Sequence, residues 1–382
     1  MEVKKNSFIL FYIIMLIFST RVDGSEIRRL HKYPRAIAMG DAFTAVADGR
    51  ESVAYNPAGL LSKGLDWSLT FPVFGLAYND VVKQSMNGEL DIDFSDPDSY
   101  SSLPGKRIYL ELDTIPLVNV AFPQLYIPDS GFYTGFTSNF WVDIAFPKPM
   151  ILPVVHLELI AQGVFEFAKS FEMFGLTAGY NVKVIQRTGV DADVSLLRGS
   201  FDAQDIIDEY ASEQPQPKLA FDFGLLYRFD HPWNWRVGLS SLDAASMDLG
   251  GDFEIETGGI DYGSAGEVKM INTIGLAFTK EVREFYFTGA ADFQDYTFSF
   301  FSNNSYTRRL VLGFEAAYGK RSDDEYMTAL QFGIRELRYL SFGLTVNIGV
   351  LEINTISWVE NFGTEKNEQL DTRQMLMFSM TF

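Results

Sequence analysis

Leu219–Phe229 reads LAFDFGLLYRF. Taken at every second residue, it separates into two sets. One set is Leu219, Phe221, Phe223, Leu225, Tyr227 and Phe229; the other is Ala220, Asp222, Gly224, Leu226 and Arg228. Side chains alternate faces along a β-strand, so this segment carries one greasy face and one mostly small or polar face. Leu310–Tyr318 (LVLGFEAAY) sets Leu310, Leu312, Phe314, Ala316 and Tyr318 against Val311, Gly313, Glu315 and Ala317. Ser341–Val350 (SFGLTVNIGV) sets Phe342, Leu344, Val346, Ile348 and Val350 against Ser341, Gly343, Thr345, Asn347 and Gly349. A soluble sandwich also alternates, but its strands are usually about 5–6 residues long. A tilted strand needs about 9–11 residues to cross a bilayer, and these segments are of that length. The expected fold is all-β: a transmembrane antiparallel β-barrel of about 14 strands.

Working outward, the pattern predicts strands near 67–78, 115–125, 132–145, 154–167, 172–188, 218–229 and 235–243. Seven more fall near 271–280, 284–295, 307–318, 326–336, 339–349, 352–361 and 374–382. Long connections follow odd-numbered strands. Connections after even-numbered strands, such as Asp230–Asn234 and Glu281–Arg283, stay short. Long loops on one side and short turns on the other are the habit of outer-membrane barrels. The chain ends in RQMLMFSMTF, with Leu376, Phe378, Met380 and Phe382 on one face. A terminal strand of this form resembles the signal read by the outer-membrane barrel assembly machinery, which is the partner expected during biogenesis.

Composition agrees. Aromatic residues make up 15% of the chain, with 34 Phe and 18 Tyr, which suits a lipid-facing surface with aromatic girdles. The formal net charge of −19 with scattered Lys and Arg argues against nucleic acid as a partner. There is no Cys, which excludes lipoprotein processing, disulfides and thiolate metal sites. Lys4 and Lys5 precede an apolar run from Phe8 to Phe18, and Val22 and Gly24 sit at the −3 and −1 positions of a cleavage site. Residues 1–24 therefore read as a signal peptide, with a mature start near Ser25. No later apolar run is long enough for a helical span.

Pro34–Leu60 (PRAIAMGDAFTAVADGRESVAYNPAGL) departs from period two. It is rich in Ala and Gly, with a short helix expected around Asp41–Ala47 and a turn at Asn56-Pro57. Its small residues permit close packing in a confined space. The segment resembles the long-chain fatty-acid transporter family (FadL-like) and its PorV-like relatives. The matching residues are Arg35-Ala36, Met39-Gly40, Ala42-Phe43-Thr44-Ala45, Val46-Ala47-Asp48 and Tyr55-Asn56-Pro57-Ala58-Gly59-Leu60. That resemblance implies a hatch inside the lumen over residues 25–60, a barrel over 61–382, and Asn56-Pro57-Ala58 at the junction with the wall. It implies passive uptake of hydrophobic or amphipathic molecules such as long-chain fatty acids across a bacterial outer membrane. The alternative it implies is a PorV-like scaffold or shuttle for secreted or surface-attached proteins. Met39, Phe43 and Leu60 are candidate pocket residues by position.

Catalytic signals are lacking. The three histidines, His31, His156 and His231, show no metal-ligand spacing, and neither GxSxG nor GxGxxG occurs. An enzyme is not expected, nor is a cofactor or a metal. Loop aromatics Phe146, Phe300, Phe301 and Tyr306 suit an apolar ligand. The acidic stretches Glu89–Asp98 and Asp202–Glu213 lack EF-hand spacing and read as solvated loops. Asp222, Arg228 and Glu315 fall on the face opposite the greasy one and should point inward, with Arg335 and Glu336 near a strand end. Buried charges need partners, found either among themselves or on the hatch.

Overall fold

The structure, a computed structural model, describes residues 30, 32–61, 68–90, 106–113, 117–123, 130–146, 154–195, 217–249, 255–295, 309–320, 326–361 and 370–381. The signal-peptide reading of residues 1–24, His31, the acidic stretch 202–213, Phe300, Phe301, Tyr306 and Phe382 lie outside them.

The first half supplies β1 (Ser68–Asn79), β2 (Arg107–Asp113), β3 (Leu117–Pro123), β4 (Ser130–Ala145), β5 (Val154–Met173), β6 (Leu176–Ser195), β7 (Lys218–Arg228) and β8 (Arg236–Asp248). Three short strands follow: β9 (Ile255–Thr257), β10 (Gly259–Asp261) and β11 (Glu267–Lys269). The rest are β12 (Ile271–Val282), β13 (Phe285–Gln294), β14 (Leu310–Lys320), β15 (Tyr326–Arg335), β16 (Tyr339–Ile348), β17 (Leu351–Asn361) and β18 (Leu370–Thr381). Each long strand pairs antiparallel with its neighbours; β18 returns to β1, and β12 skips the short strands to pair β8. Both β2 and β3 bridge β1 to β4, so they are two pieces of one stave. The sheet closes as a barrel of 14 staves, which leaves no edge unpaired.

Period two becomes inside and outside. Phe223 is 52% exposed and Phe332 48%, whereas Asp222 and Gln331 are 1% exposed. Exposed apolar side chains on a closed barrel form a lipid-facing belt, the architecture of an outer-membrane protein. At the end carrying the short turns, Tyr227 meets Phe229, Trp233 and Trp235 meet Phe278, and Phe285 meets Tyr318, with ring centroids 4.9–5.5 Å apart. These rings form a girdle at that interface. Among the described residues no helix is long and apolar enough to cross a membrane, a criterion that does not bear on barrels.

Three expectations need correction. Strands β5 and β6 are longer than the alternation implied and meet at Phe174-Gly175, because Leu176 pairs back onto Met173. The stave predicted at 115–125 is preceded by a separate piece, β2, which the sequence reading missed. Asp41–Ala47 is not helical; the α-helices of this segment are Pro34–Ala38 and Ser52–Tyr55. Gly40 (φ 67°) and Asp41 (φ 64°) end the first helix in the left-handed region. Asp41 is held there by Tyr55 Oη at 3.0 Å and Arg335 Nη2 at 2.6 Å.

Candidate functional site

The N-terminal segment, residues 32–61, touches inward-facing residues of staves around the barrel. It can come so close because the wall is glycine there. A Cβ on Gly179 would overlap Pro57, and one on Gly224 would overlap the Asn56 carboxamide. A Cβ on Gly238 would stand 2.6 Å from Thr44 O, and one on Gly313 would stand 2.6 Å from Met39 O. Gly224 on β7, Gly313 on β14 and Gly343 on β16, where a Cβ would overlap that of Ala38, are therefore docking positions.

Polar groups complete the contact. Arg35 Nε and Nη2 donate to Glu315 Oε2 and Oε1, both at 2.7 Å, in the forked geometry that suits a carboxylate. Its Nη1 donates to Asp48 Oδ1 at 2.7 Å and Glu51 Oε2 at 3.4 Å. The backbone amides of Phe43 and Thr44 donate to Asp292 Oδ2 at 2.9 and 2.7 Å. Asn56 Nδ2 donates to Thr44 O at 2.9 Å and to Leu225 O on the wall at 3.1 Å, while its Oδ1 accepts from Ala58 N at 3.2 Å. Pro57 brings no N–H to satisfy, which suits a residue pressed against backbone. Arg50 reaches Thr70, Thr381 and Glu352 at 2.8–3.0 Å, beside the β1–β18 seam.

The sequence-selected residues thus come together, as one docked segment. Met39, Phe43 and Leu60 are nearly fully buried: Met39 against Gly313, Phe43 edge-on to Tyr55 at 5.2 Å, and Leu60 with Val53, Tyr133 and Ala168. Gly59 lies where a Cβ would overlap Ala47 O. On β18, Leu376 is exposed on the outward face shared with Phe378 and Met380, while Asp371, Arg373 and Met375 are buried inside.

Burial raises the Glu51 carboxyl to about 7, against lowering by Arg35 and Arg50 and with further raising by Glu352 and Asp48. A carboxyl with a raised pKa in the docked state binds its proton more tightly there. Its contribution to docking is full below its free value of 4.5 and is lost as pH rises through about 7. Limited proteolysis between about pH 5.5 and 8.5 should therefore cut residues 32–61 faster at the alkaline end, and Glu51→Gln should flatten that profile.

A second feature lies deeper in sequence. After β8 the chain forms a hairpin, β10–β11, whose Ile260, Tyr262, Ala265 and Val268 are buried. They pack with Leu30 and with Trp141, Ile160, Val164, Ile185 and Ala220 of β4–β7. This apolar cluster is separate from the one in which Ala77, Tyr109, Ile356, Trp358 and Met375 of the wall pack against Ile37 and Ala38 of the N-terminal segment. Arg187 Nε donates to Ala265 O at 2.7 Å, and its guanidinium lies 5.1 Å from the Trp141 ring and 5.9 Å from the Tyr262 ring. Nearby, Lys183 pairs with Asp222 at 2.8 Å and with Asp243, so Asp222 is satisfied by the wall, whereas Glu315 is satisfied by the N-terminal segment. Sequence reading missed the hairpin, whose short strands are too brief to show a period.

No family model matches the chain, and no curated protein matches it. Solved structures similar in fold include the Pseudomonas putida toluene transporter TodX, at 12% identity and TM-score 0.49, covering 94% of this chain and 99% of that one. The Ralstonia pickettii toluene transporter TbuX gives 11% and 0.48, covering 92% and 98%. The CymD monoaromatic hydrocarbon channel gives 9% and 0.49, covering 94% and 99%. Identity this low leaves the cargo of those channels a property of those proteins.

Proposed function

We propose that the protein is a FadL-like outer-membrane channel for passive uptake of hydrophobic or amphipathic molecules, with long-chain fatty acids as one candidate class. The observation that carries this is the apolar cluster inside the lumen. Apolar side chains inside a water-facing barrel serve no lipid contact, so they are there to pack the hairpin and to offer an apolar molecule a surface. Transfer of an acyl chain onto such a surface is worth about 0.8 kcal/mol per methylene. On this reading the β10–β11 hairpin covers the apolar surface and the N-terminal segment is a hatch that must shift before cargo leaves. The terminal strand, with Leu376, Phe378 and Met380 outward, serves recognition by the assembly machinery.

The test is uptake by a diderm reporter strain lacking its own channel, offered a labelled long-chain fatty acid and, separately, a compact hydrocarbon. Uptake of either above an empty-vector control, reduced by Ile160→Asp, is the expected result. No uptake of either class, with partner proteins retained on pull-down, would favour the scaffold reading instead.

A further inference from the structure

His156 and Glu158 on β5 lie opposite Asp193 and Asp191 on β6, in register and at the end of the barrel away from the Phe174-Gly175 turn. His156 Nδ1 is 3.1 Å from Asp193 Oδ1. Its Nε2 is 3.3 Å from Glu158 Oε1 and 3.4 Å from Asp191 Oδ1. One imidazole thus faces three carboxylates. With Nδ1–H donating to Asp193, a neutral ring turns the Nε2 lone pair toward two more anionic oxygens. That arrangement is repulsive unless a positive charge sits there.

From this geometry we infer that His156 Nε2, Glu158 Oε1 and Asp191 Oδ1 bind a divalent transition cation of the Zn²⁺ class. Metal–donor bonds of about 2.0–2.2 Å place two tetrahedral ligands about 3.3–3.5 Å apart, which matches both observed separations. All three donor atoms lie within 4.8 Å of one another. Three protein donors leave a fourth position for water. The surrounding contacts are those of a built site. Asp193 orients the imidazole through Nδ1, the carboxylate–histidine–metal relay. Glu158 is buried, and its second oxygen accepts from Trp141 Nε1 at 3.2 Å. Gly266 of the β10–β11 hairpin presses on Asp191 so closely that a Cβ there would overlap Oδ2. The ion would therefore sit beside the hairpin that covers the apolar cluster. His231, by contrast, is accounted for: its Nδ1 accepts from Trp233 N at 3.2 Å, on the opposite rim. The inference stands on these contacts and not on the uptake reading.

The test is calorimetric titration of the chelator-treated, detergent-solubilised full chain with Zn²⁺, with Co²⁺ absorption reporting the coordination geometry. One saturable site, with a tetrahedral Co²⁺ spectrum, is expected. His156→Gln should abolish it, and Asp193→Asn, which leaves all three ligands in place, should weaken it about 10- to 100-fold. Each variant is first shown by circular dichroism to keep its strands. If the wild type has no saturable site, the inference fails. Equal binding by His156→Gln would overturn it as well.

Discussion

Arg35→Met should release the N-terminal segment from the barrel wall. The guanidinium bridges Glu315, Asp48 and Glu51, and Glu315 is 1% exposed at its side chain. Removing one partner of a buried ion pair leaves uncompensated charge and costs about 3–5 kcal/mol. That moves a docking equilibrium by roughly two to nearly four powers of ten. The released state should show faster proteolysis within residues 32–61 and higher conductance in planar bilayers, while the outward belt and heat resistance of the barrel are unchanged. Glu315→Gln should act in the same direction but less, because Arg35 keeps Asp48 and Glu51. Wild-type proteolysis and conductance in Arg35→Met would mean that the remaining contacts hold the segment without this ion pair.

The second large effect is steric. Gly179→Val and Gly224→Val place side-chain carbon where Pro57 and Asn56 lie. The obstacle at Gly179 is backbone, which cannot rotate aside, so the cost falls at or above the upper end of overpacking, about 3 kcal/mol. Asn56 would also lose its bond to Leu225 O. Both variants should open conductance as Arg35→Met does. Ala161→Val, on the exposed outer face of β5, adds similar bulk without touching the segment and should leave conductance unchanged.

These two predictions rest on different degrees of legibility. The outward set on β7, with Phe223, Leu225 and Tyr227, could be read from period two because lipid asks only that a side chain be apolar. The inward set was half legible. Asp222 and Glu315 were placed on the inner face, but their partners Lys183 and Arg35 lie 39 and 280 residues away, which alternation cannot reveal. Gly224 and Gly313 read as merely small; only the docked segment shows that an added methyl is excluded. Asp41–Ala47 reads as a helix because its alanines favour one locally, but the amides of Phe43 and Thr44 are taken by Asp292. The break between β2 and β3 and the lumenal hairpin have no period to read. The site on His156 escaped notice because its ligands come from two strands joined by a turn, at sequence spacings that match no motif.

The central claim is that the greasy face of each stave meets acyl chains while the other face meets the docked segment. The native chain has no Cys, so single nitroxide labels can be placed at will. Labels along β15 in reconstituted bilayers report accessibility to oxygen, which partitions into lipid, and to a water-soluble nickel chelate. The account predicts high oxygen accessibility at Leu330 and Phe332, and low accessibility to both reagents at Ala329 and Gln331. Equal oxygen accessibility at all four positions, or nickel access at Leu330 and Phe332, would contradict it.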